Sequence, residues 1–260
     1  MKKNVILFTS LKANDPNLDE YKEWALLTWK YYAKKHNIEI VILEEPLMDV
    51  ELMRPTWQRW YVYDILNHNN IEYDRVALVD IDTMVKWDCP NIFEAANNKY
   101  AGVKDDISLE WINNSIDGYR ANFKEFEDVE LDWTNYINNG VLVLPENGEE
   151  FCKVVTEFYT KNVEKLRDLQ HHSLKKGTDQ TPINFLAKKF YGDNIQYLSK
   201  KLNMSQLILT QAFASSVITG KPIFIEHGSI WHFNGIPRDQ RNSLMKQTWD
   251  IIKHNYEDIK

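Results

Sequence analysis

Cysteine is nearly missing from this sequence: Cys89 and Cys152 are the only two in 260 residues. They stand far apart and fit no metal-ligand spacing. A disulfide framework or a zinc knuckle is therefore disfavoured, and a reducing, cytoplasmic compartment is expected. Basic blocks are missing too. With 38 acidic against 31 basic residues the formal charge is -7, and no Lys/Arg stripe develops, which argues against nucleic acid as a partner. No apolar run approaches the ~20 residues that cross a bilayer, so no transmembrane segment is expected and membrane association would be peripheral. Val5 to Phe8 is too short for a secretory signal and reads as a first strand. Repeats, low-complexity tracts and Pro/Gly-rich linkers are also lacking, which leaves a single domain over residues 1–260.

What is present suits a globular α/β protein. At this length a 43% hydrophobic fraction can form a core without disulfides or structural metals. The aromatic side chains serve mainly that core, with some free to stack on a nucleobase or sugar ring. Strand-like runs occur at Val5 to Thr9, Ile38 to Leu43, Arg75 to Asp80, Tyr100 to Val103, Gly140 to Leu144 and Ile223 to Ile225. Helical spacing runs over Asp19 to His36, Pro55 to Asn69, Glu149 to Leu166, Asp179 to Phe190 and Asp239 to Tyr256. This alternation predicts a mostly parallel central sheet flanked by helices. Asp105 to Trp133, polar and acidic with weak periodicity, reads as a solvated excursion or an acceptor-facing lid.

The most informative segment is Arg75-Val76-Ala77-Leu78-Val79-Asp80-Ile81-Asp82. An apolar run without polar alternation suits a strand buried on both faces. Ligands of open α/β sheets bind beyond the carboxyl ends of such strands, where the two acids fall. If the strand continues through Asp82, both side chains share a face with Cα atoms ~6.6 Å apart. Two carboxylates there can hold a hard divalent cation, which reverses the sign of an acidic pocket toward a nucleotide diphosphate. The same cation stabilises charge on a departing diphosphate.

The order of segments resembles the GT-A-fold glycosyltransferases, most closely the glycogenin-like and lipopolysaccharide galactosyltransferase-like retaining family. Tyr73 to Asp82 is similar to that family's strand ending in Asp-x-Asp, and Ile137-Asn138-Asn139-Gly140-Val141 to its Asn-x-Gly segment. Thr178-Asp179-Gln180-Thr181-Pro182-Ile183-Asn184 resembles its Asp-Gln helix start, and Ile230-Trp231-His232-Phe233-Asn234-Gly235 its late His-Phe-x-Gly segment. The resemblance spans about two thirds of the chain.

It implies a GT-A domain that moves a sugar, with UDP-hexose the favoured donor, to a hydroxyl of a glycan, lipid or protein acceptor. It also implies retention of anomeric configuration. Asp80, Asp82 and His232 would hold Mn²⁺ (or Mg²⁺), an imidazole nitrogen suiting Mn²⁺ better. Asp80 would also lie near the ribose, and Thr9 at the nucleotide-binding edge. Asn138 and Gly140 would sit by the donor sugar, with Gly140 permitting close approach. Asp179 and Gln180 would contact the transferred sugar at the reacting centre, although Thr178 and Asp179 equally suit an N-cap. Arg59 would reach the donor with its guanidinium fork, and Asp105 would contact the sugar. Gly235 completes the late segment. Where the family carries Lys-Pro-Trp, this chain reads Gly235-Ile236-Pro237-Arg238, so Arg238 would take over the phosphate contact.

Other readings are a sugar nucleotidyltransferase, a non-catalytic nucleotide-sugar or glycan-binding protein, and a zinc hydrolase using His171-His172. The first would need a Gly-rich loop after strand one, whereas Thr9-Ser10-Leu11-Lys12-Ala13-Asn14 has no glycine. The second would not need the full ligand set, and the third meets adjacent histidines that point apart on a helix.

Overall fold

Runs such as Val76 to Val79 and Val141 to Leu144 are apolar on both faces and demand cover on both sides. The structure, a computed structural model, describes residues 2–11, 18–176 and 178–256 and provides that cover. In chain order the elements are β1 (Lys3–Thr9), α1 (Leu18–His36), β2 (Glu39–Leu43), α2 (Pro55–Gln58), α3 (Val62–His68), β3 (Tyr73–Asp80), β4 (Thr83–Val85), α4 (Ile92–Ala96) and β5 (Tyr100–Lys104). There follow α5 (Leu109–Asn122), β6 (Ile137–Leu144), α6 (Gly148–Asp168), α7 (Gln180–Tyr191), β7 (Ile195–Leu198), α8 (Ile223–His227), β8 (Ile230–His232) and α9 (Arg238–Ile252).

Six strands form one sheet in the order β2-β1-β3-β6-β5-β7. β1 runs parallel to β2 and β3, and β5 parallel to β7, while β6 is antiparallel to both neighbours. The sheet is thus mostly parallel, as the alternation predicts. Period-2 side chains divide the core in two. Ile6, Phe8, Ala77 and Val79 pack with Trp29 of α1 and Met245 of α9 on one face. Val5, Leu7, Val76 and Leu78 pack with Tyr63 of α3, Ile116 of α5, Phe151 of α6 and Phe185 of α7 on the other. Each such fully buried large side chain contributes about 1.5–3 kcal/mol.

Four sequence expectations need correction, and one feature was not foreseen. The polar stretch after Asp105 is neither an excursion nor a lid: it contains α5, whose Ile112, Ile116 and Tyr119 are buried one turn apart. Ile223 to Ile225 is a short helix opened by Pro222, not a strand. The helix from Pro55 breaks at a 3-10 turn, Arg59–Tyr61, between α2 and α3. β3 stops at Asp80 instead of continuing through Asp82. A second, two-stranded sheet of β4 and β8 went unforeseen because each strand is three residues long. Of the glycine-free segment after strand one, Lys12 to Asn14 lie outside the described residues. No described helix is long and apolar enough to cross a membrane.

Candidate metal centre

The site begins where β3 ends. Asp80 lies level with Thr9 at the carboxyl ends of the paired parallel strands β1 and β3. The chain then turns through Ile81 and Asp82, and the Thr83 hydroxyl closes the turn by donating to the Asp80 carbonyl at 2.7 Å. β4 leaves this turn and pairs with β8, setting Thr83 opposite His232. The Phe233 amide donates to the Asp82 carbonyl at 2.9 Å. A tight turn and a short antiparallel pair therefore deliver the imidazole to the two acids. His232 Nε2 stands 3.5 Å from Asp80 Oδ2 and 3.3 Å from Asp82 Oδ1. One ligand atom from each residue falls within 4.8 Å of the other two, a spacing one cation can satisfy.

Hydrogen bonding fixes which nitrogen faces the acids. Asn138 Nδ2 donates to the Asp105 Oδ2 carboxylate oxygen at 3.1 Å, and its Oδ1 accepts from the Gly140 amide at 2.9 Å. Asn203 Nδ2 donates to that same Asn138 Oδ1 at 2.9 Å, so Asn203 Oδ1 is left as an acceptor facing His232 Nδ1 at 3.1 Å. The proton belongs on Nδ1, and Nε2 has no hydrogen-bond partner. A buried, unpartnered imidazole nitrogen beside two carboxylates, its other nitrogen locked by an amide, fits a divalent cation.

The electrostatics agree. Burial opposes charge on His232, but Asp82 and Asp80 outweigh it and raise the imidazole above its ordinary range. Burial likewise opposes charge on Asp82, yet His232 and Arg241 hold its carboxyl below the usual value. Asp80 is pushed upward by burial, only partly relieved by Arg59 and His232. A proton on the imidazole and a cation are thus alternatives for balancing the two acids.

Arg59 joins this cluster to the next group. Its side chain is buried, with Nη1 2.7 Å from Asp80 Oδ1 and Nη2 2.7 Å from Asp179 Oδ2. Both terminal nitrogens are committed to carboxylates, and Arg59 is the first residue of the 3-10 turn between α2 and α3. Asp179 precedes α7, but its carboxylate makes no capping bond to that helix, so the N-cap alternative is set aside. Gln180 is held at both ends of its amide: Nε2 donates to Asp105 Oδ2 at 3.2 Å and Oε1 accepts from the Asn139 amide at 3.2 Å. Asn139 is free for this because β6 shifts register against β5 beside Gly102 and Val103, an irregularity that re-aims backbone groups next to a site.

Gly140 has a packing reason to lack a side chain. A Cβ at Gly140 would lie 2.1 Å from His232 Cε1 and 2.5 Å from Nδ1, so the missing side chain makes room for the imidazole. Thr9, Arg59, Asp80, Asp82, Asp105, Asn138, Gly140, Asp179, Gln180 and His232 come together. Gly235 and Arg238 lie further along the chain, in the turn after β8 and at the start of α9. Gly235 adopts φ +70 in the turn after β8, a left-handed conformation that favours glycine. Arg238 instead lines a cavity with Arg54, Arg167 and His171. Sequence reasoning missed Asn203, which lies in no motif, and Arg241, whose Nη1 is 3.1 Å from Asp82 Oδ2. Spacing offers one signal for the latter, because Arg241 follows Arg238 by one helical turn. His171 and His172 enter no comparable ligand cluster among the described residues.

No family model and no curated protein matches the sequence. Solved structures do match. A glycosyltransferase involved in glycosylation of the major capsid of PBCV-1 superposes with a TM-score of 0.55 at 13% identity, over 94% of this chain and 99% of that one. The galactosyltransferase LgtC, in complex with donor and acceptor sugar analogs, gives a TM-score of 0.48 at 13% identity over 94% and 95% of the two chains. Mouse xyloside xylosyltransferase 1 gives 0.47 at 13% identity over 91% and 99%. The first of these carries the comparison. Together with the sheet order and the mostly parallel strands, it places the chain in the GT-A-type glycosyltransferase fold.

Proposed function

We propose that this chain is a metal-dependent glycosyltransferase that moves a hexose from a nucleotide-sugar, UDP-hexose being favoured, to an acceptor hydroxyl. The observation that carries the reading is the unpartnered His232 Nε2 facing Asp80 and Asp82 at the carboxyl ends of the strands. Asp80, Asp82 and His232 would hold the cation, and the nitrogen ligand favours Mn²⁺ over Mg²⁺. When bound, it would neutralise the diphosphate and stabilise the charge that develops as the sugar leaves.

The remaining work belongs to the protein's own groups. Asn203 keeps the Nδ1 proton in place and so presents the Nε2 lone pair. Arg59 fixes Asp179 and Asp80 relative to each other, which orients the approach to the reacting carbon. Asp105 Oδ1 and Asn139 Oδ1 are buried acceptors without partners and suit hydroxyls of the transferred sugar. Gln180 positions Asp105 and Asn139, and as an amide it is a poor nucleophile. Arg241, beside Asp82, offers a second guanidinium for the diphosphate in addition to Arg238. Thr9, next to Asp80 on the neighbouring strand, would border the nucleoside.

The test is a panel of UDP-, GDP- and dTDP-hexoses scored for thermal stabilisation and slow hydrolysis with and without Mn²⁺. UDP-hexose should raise the Tm and be hydrolysed only with Mn²⁺ present. Equal stabilisation by every nucleotide-sugar in EDTA, with no hydrolysis, would sink the proposal. Retention is checked by NMR of the product's anomeric proton.

A further inference from the structure

The stretch that leads from β7 through Asn203 toward His232 has two unusual properties. From Asn194 to Ile225 it contains no Asp or Glu, although acids make up 38 of the 260 residues, while Lys200, Lys201 and Lys221 fall within it. It also holds Ile208, Leu209, Val217, Ile218 and Ile223, half of the ten large hydrophobic residues exposed among the described residues. Val217 is fully exposed and its neighbour Ile218 is 90% exposed, so the fold takes almost nothing from either side chain. Apolar residues exposed singly are ordinary, but a concentration of them marks a contact with a protein or a membrane.

The two side chains stand at the tip of a hairpin-like turn whose base is fixed. Ser215 bridges to Pro222, the Ile223 amide donates to the Ala214 carbonyl at 2.9 Å, and the Phe224 amide donates to the Ala212 carbonyl at 3.0 Å. Beneath them Leu207, Ala212 and Phe224 are buried in the same core as Trp231. At the tip the backbone finds its partners locally. The Ser216 amide donates to the Lys221 carbonyl at 2.8 Å and the Gly220 amide to the Ser216 carbonyl at 2.9 Å. The Ile218 and Thr219 amides reach Ser216 Oγ at 3.3 and 3.4 Å. Amides that already have acceptors lose little on leaving water, which is the condition for entering an apolar phase.

The aliphatic composition selects the partner. Protein interfaces draw most of their binding energy from Trp, Tyr and Arg, with Leu and Val under-represented, whereas the large hydrophobic residues exposed here are Ile, Leu and Val. Such side chains enter hydrocarbon favourably. Charge points the same way. A chain of formal charge -7 is repelled by anionic headgroups wherever its acids are exposed, so the acid-free stretch is where approach is least opposed. Lys201 and Lys221 are exposed there, while Lys200 is paired with Asp106, and Glu226, just beyond the stretch, accepts from the Thr219 hydroxyl. We propose that Val217 and Ile218 insert into the interfacial region of an anionic phospholipid bilayer, with Lys221 extended toward the headgroups. The stretch is tied to the metal centre as well: Asn203 faces His232 Nδ1, the His232 amide donates to the Met204 carbonyl at 3.0 Å, and the Gln206 amide donates to Asn234 Oδ1 at 2.8 Å. Insertion of the tip therefore holds the Asp80, Asp82 and His232 cluster close to a membrane surface.

Cys89 and Cys152 are buried, so Ile218→Cys in the full chain can be labelled selectively with a nitrobenzoxadiazole fluorophore. Vesicles of equimolar phosphatidylglycerol and phosphatidylcholine should shift its emission to the blue, and a quencher carried on the acyl chains should dim it. The same label at Leu52→Cys should do neither, because Leu52 is exposed elsewhere and its carbonyl accepts from Tyr159 of the other core. In flotation with these vesicles, Val217→Ser/Ile218→Ser should bind about tenfold more weakly than wild type, since two aliphatic side chains are lost, with an unchanged Tm. No blue shift at position 218, or equal shifts at both labelled positions, overturns the proposal. Equal vesicle affinity in wild type and the double variant also overturns it. So does a wild-type dimer in sedimentation that the double variant converts to monomer, because a second copy then covers the tip. Each readout is independent of sugar transfer, so a wild-type chain that hydrolyses no nucleotide-sugar leaves the membrane contact standing.

Discussion

Replacing Gly140 by alanine perturbs the candidate metal centre without replacing any of its three proposed ligands. The added Cβ would meet His232 Cε1 at 2.1 Å and Nδ1 at 2.5 Å. Ordinary carbon contacts begin near ~3.5 Å, so the ring must retreat by more than ~1 Å. It has little room, because His232 is buried and its Nδ1 is tied to Asn203. Ligand distances tolerate only about ±0.2 Å, so displacement on this scale removes the imidazole from the coordination set. Loss of one ligand should weaken Mn²⁺ binding about 100-fold, or roughly 2.7 kcal/mol. Calorimetric titration of Mn²⁺ into the variant measures this. The double variant Gly140→Ala/His232→Ala, in which the clash is gone, should fold normally and bind Mn²⁺ no more weakly than His232→Ala alone. Mn²⁺ affinity within threefold of wild type in a normally folded Gly140→Ala protein would refute the reasoning.

Three further outcomes follow from the same geometry. Asn203→Ala removes the acceptor that fixes the His232 tautomer and should lower Mn²⁺ affinity about 10–100-fold, measured by the same titration. Arg59→Met leaves the Asp80 and Asp179 carboxylates without their shared counter-charge and should cost about 3–5 kcal/mol in urea unfolding. In EDTA, the raised His232 pKa contributes stability below the ordinary histidine value of about 6.5, and that contribution is lost as pH rises through the folded-state value. Added Mn²⁺ should reverse the trend, because the metal needs a neutral imidazole, and its stabilising effect should grow with pH in melting curves run with and without the metal.

The sheet was legible because runs such as Val76 to Val79 can only be buried strands, and α1 because Tyr21, Trp24, Thr28 and Tyr32 repeat at helical spacing. α5 was not, since Glu110, Asn113, Asn114 and Asp117 surround its three core residues and mask the period. β4 and β8 are too short for any pattern, yet their pairing is what joins His232 to Asp82. Asp80, Asp82 and His232 were readable from local motifs. Gly140's role was not, because its reason lies in a ring from a distant segment. Asn203 acts through a contact that no spacing encodes, and Arg241 is signalled only by following Arg238 by one helical turn. The two-residue step between the acids was read correctly as convergence, although a turn rather than a continued strand produces it.

Crystals of the protein soaked in Mn²⁺ and UDP, with diffraction recorded at the manganese absorption edge, put the matter most directly. The expected result is one anomalous peak roughly 2.0–2.6 Å from a carboxylate oxygen of Asp80, from one of Asp82 and from His232 Nε2. A peak elsewhere, or UDP seated in this cleft with no metal between the three side chains and the diphosphate, would contradict it.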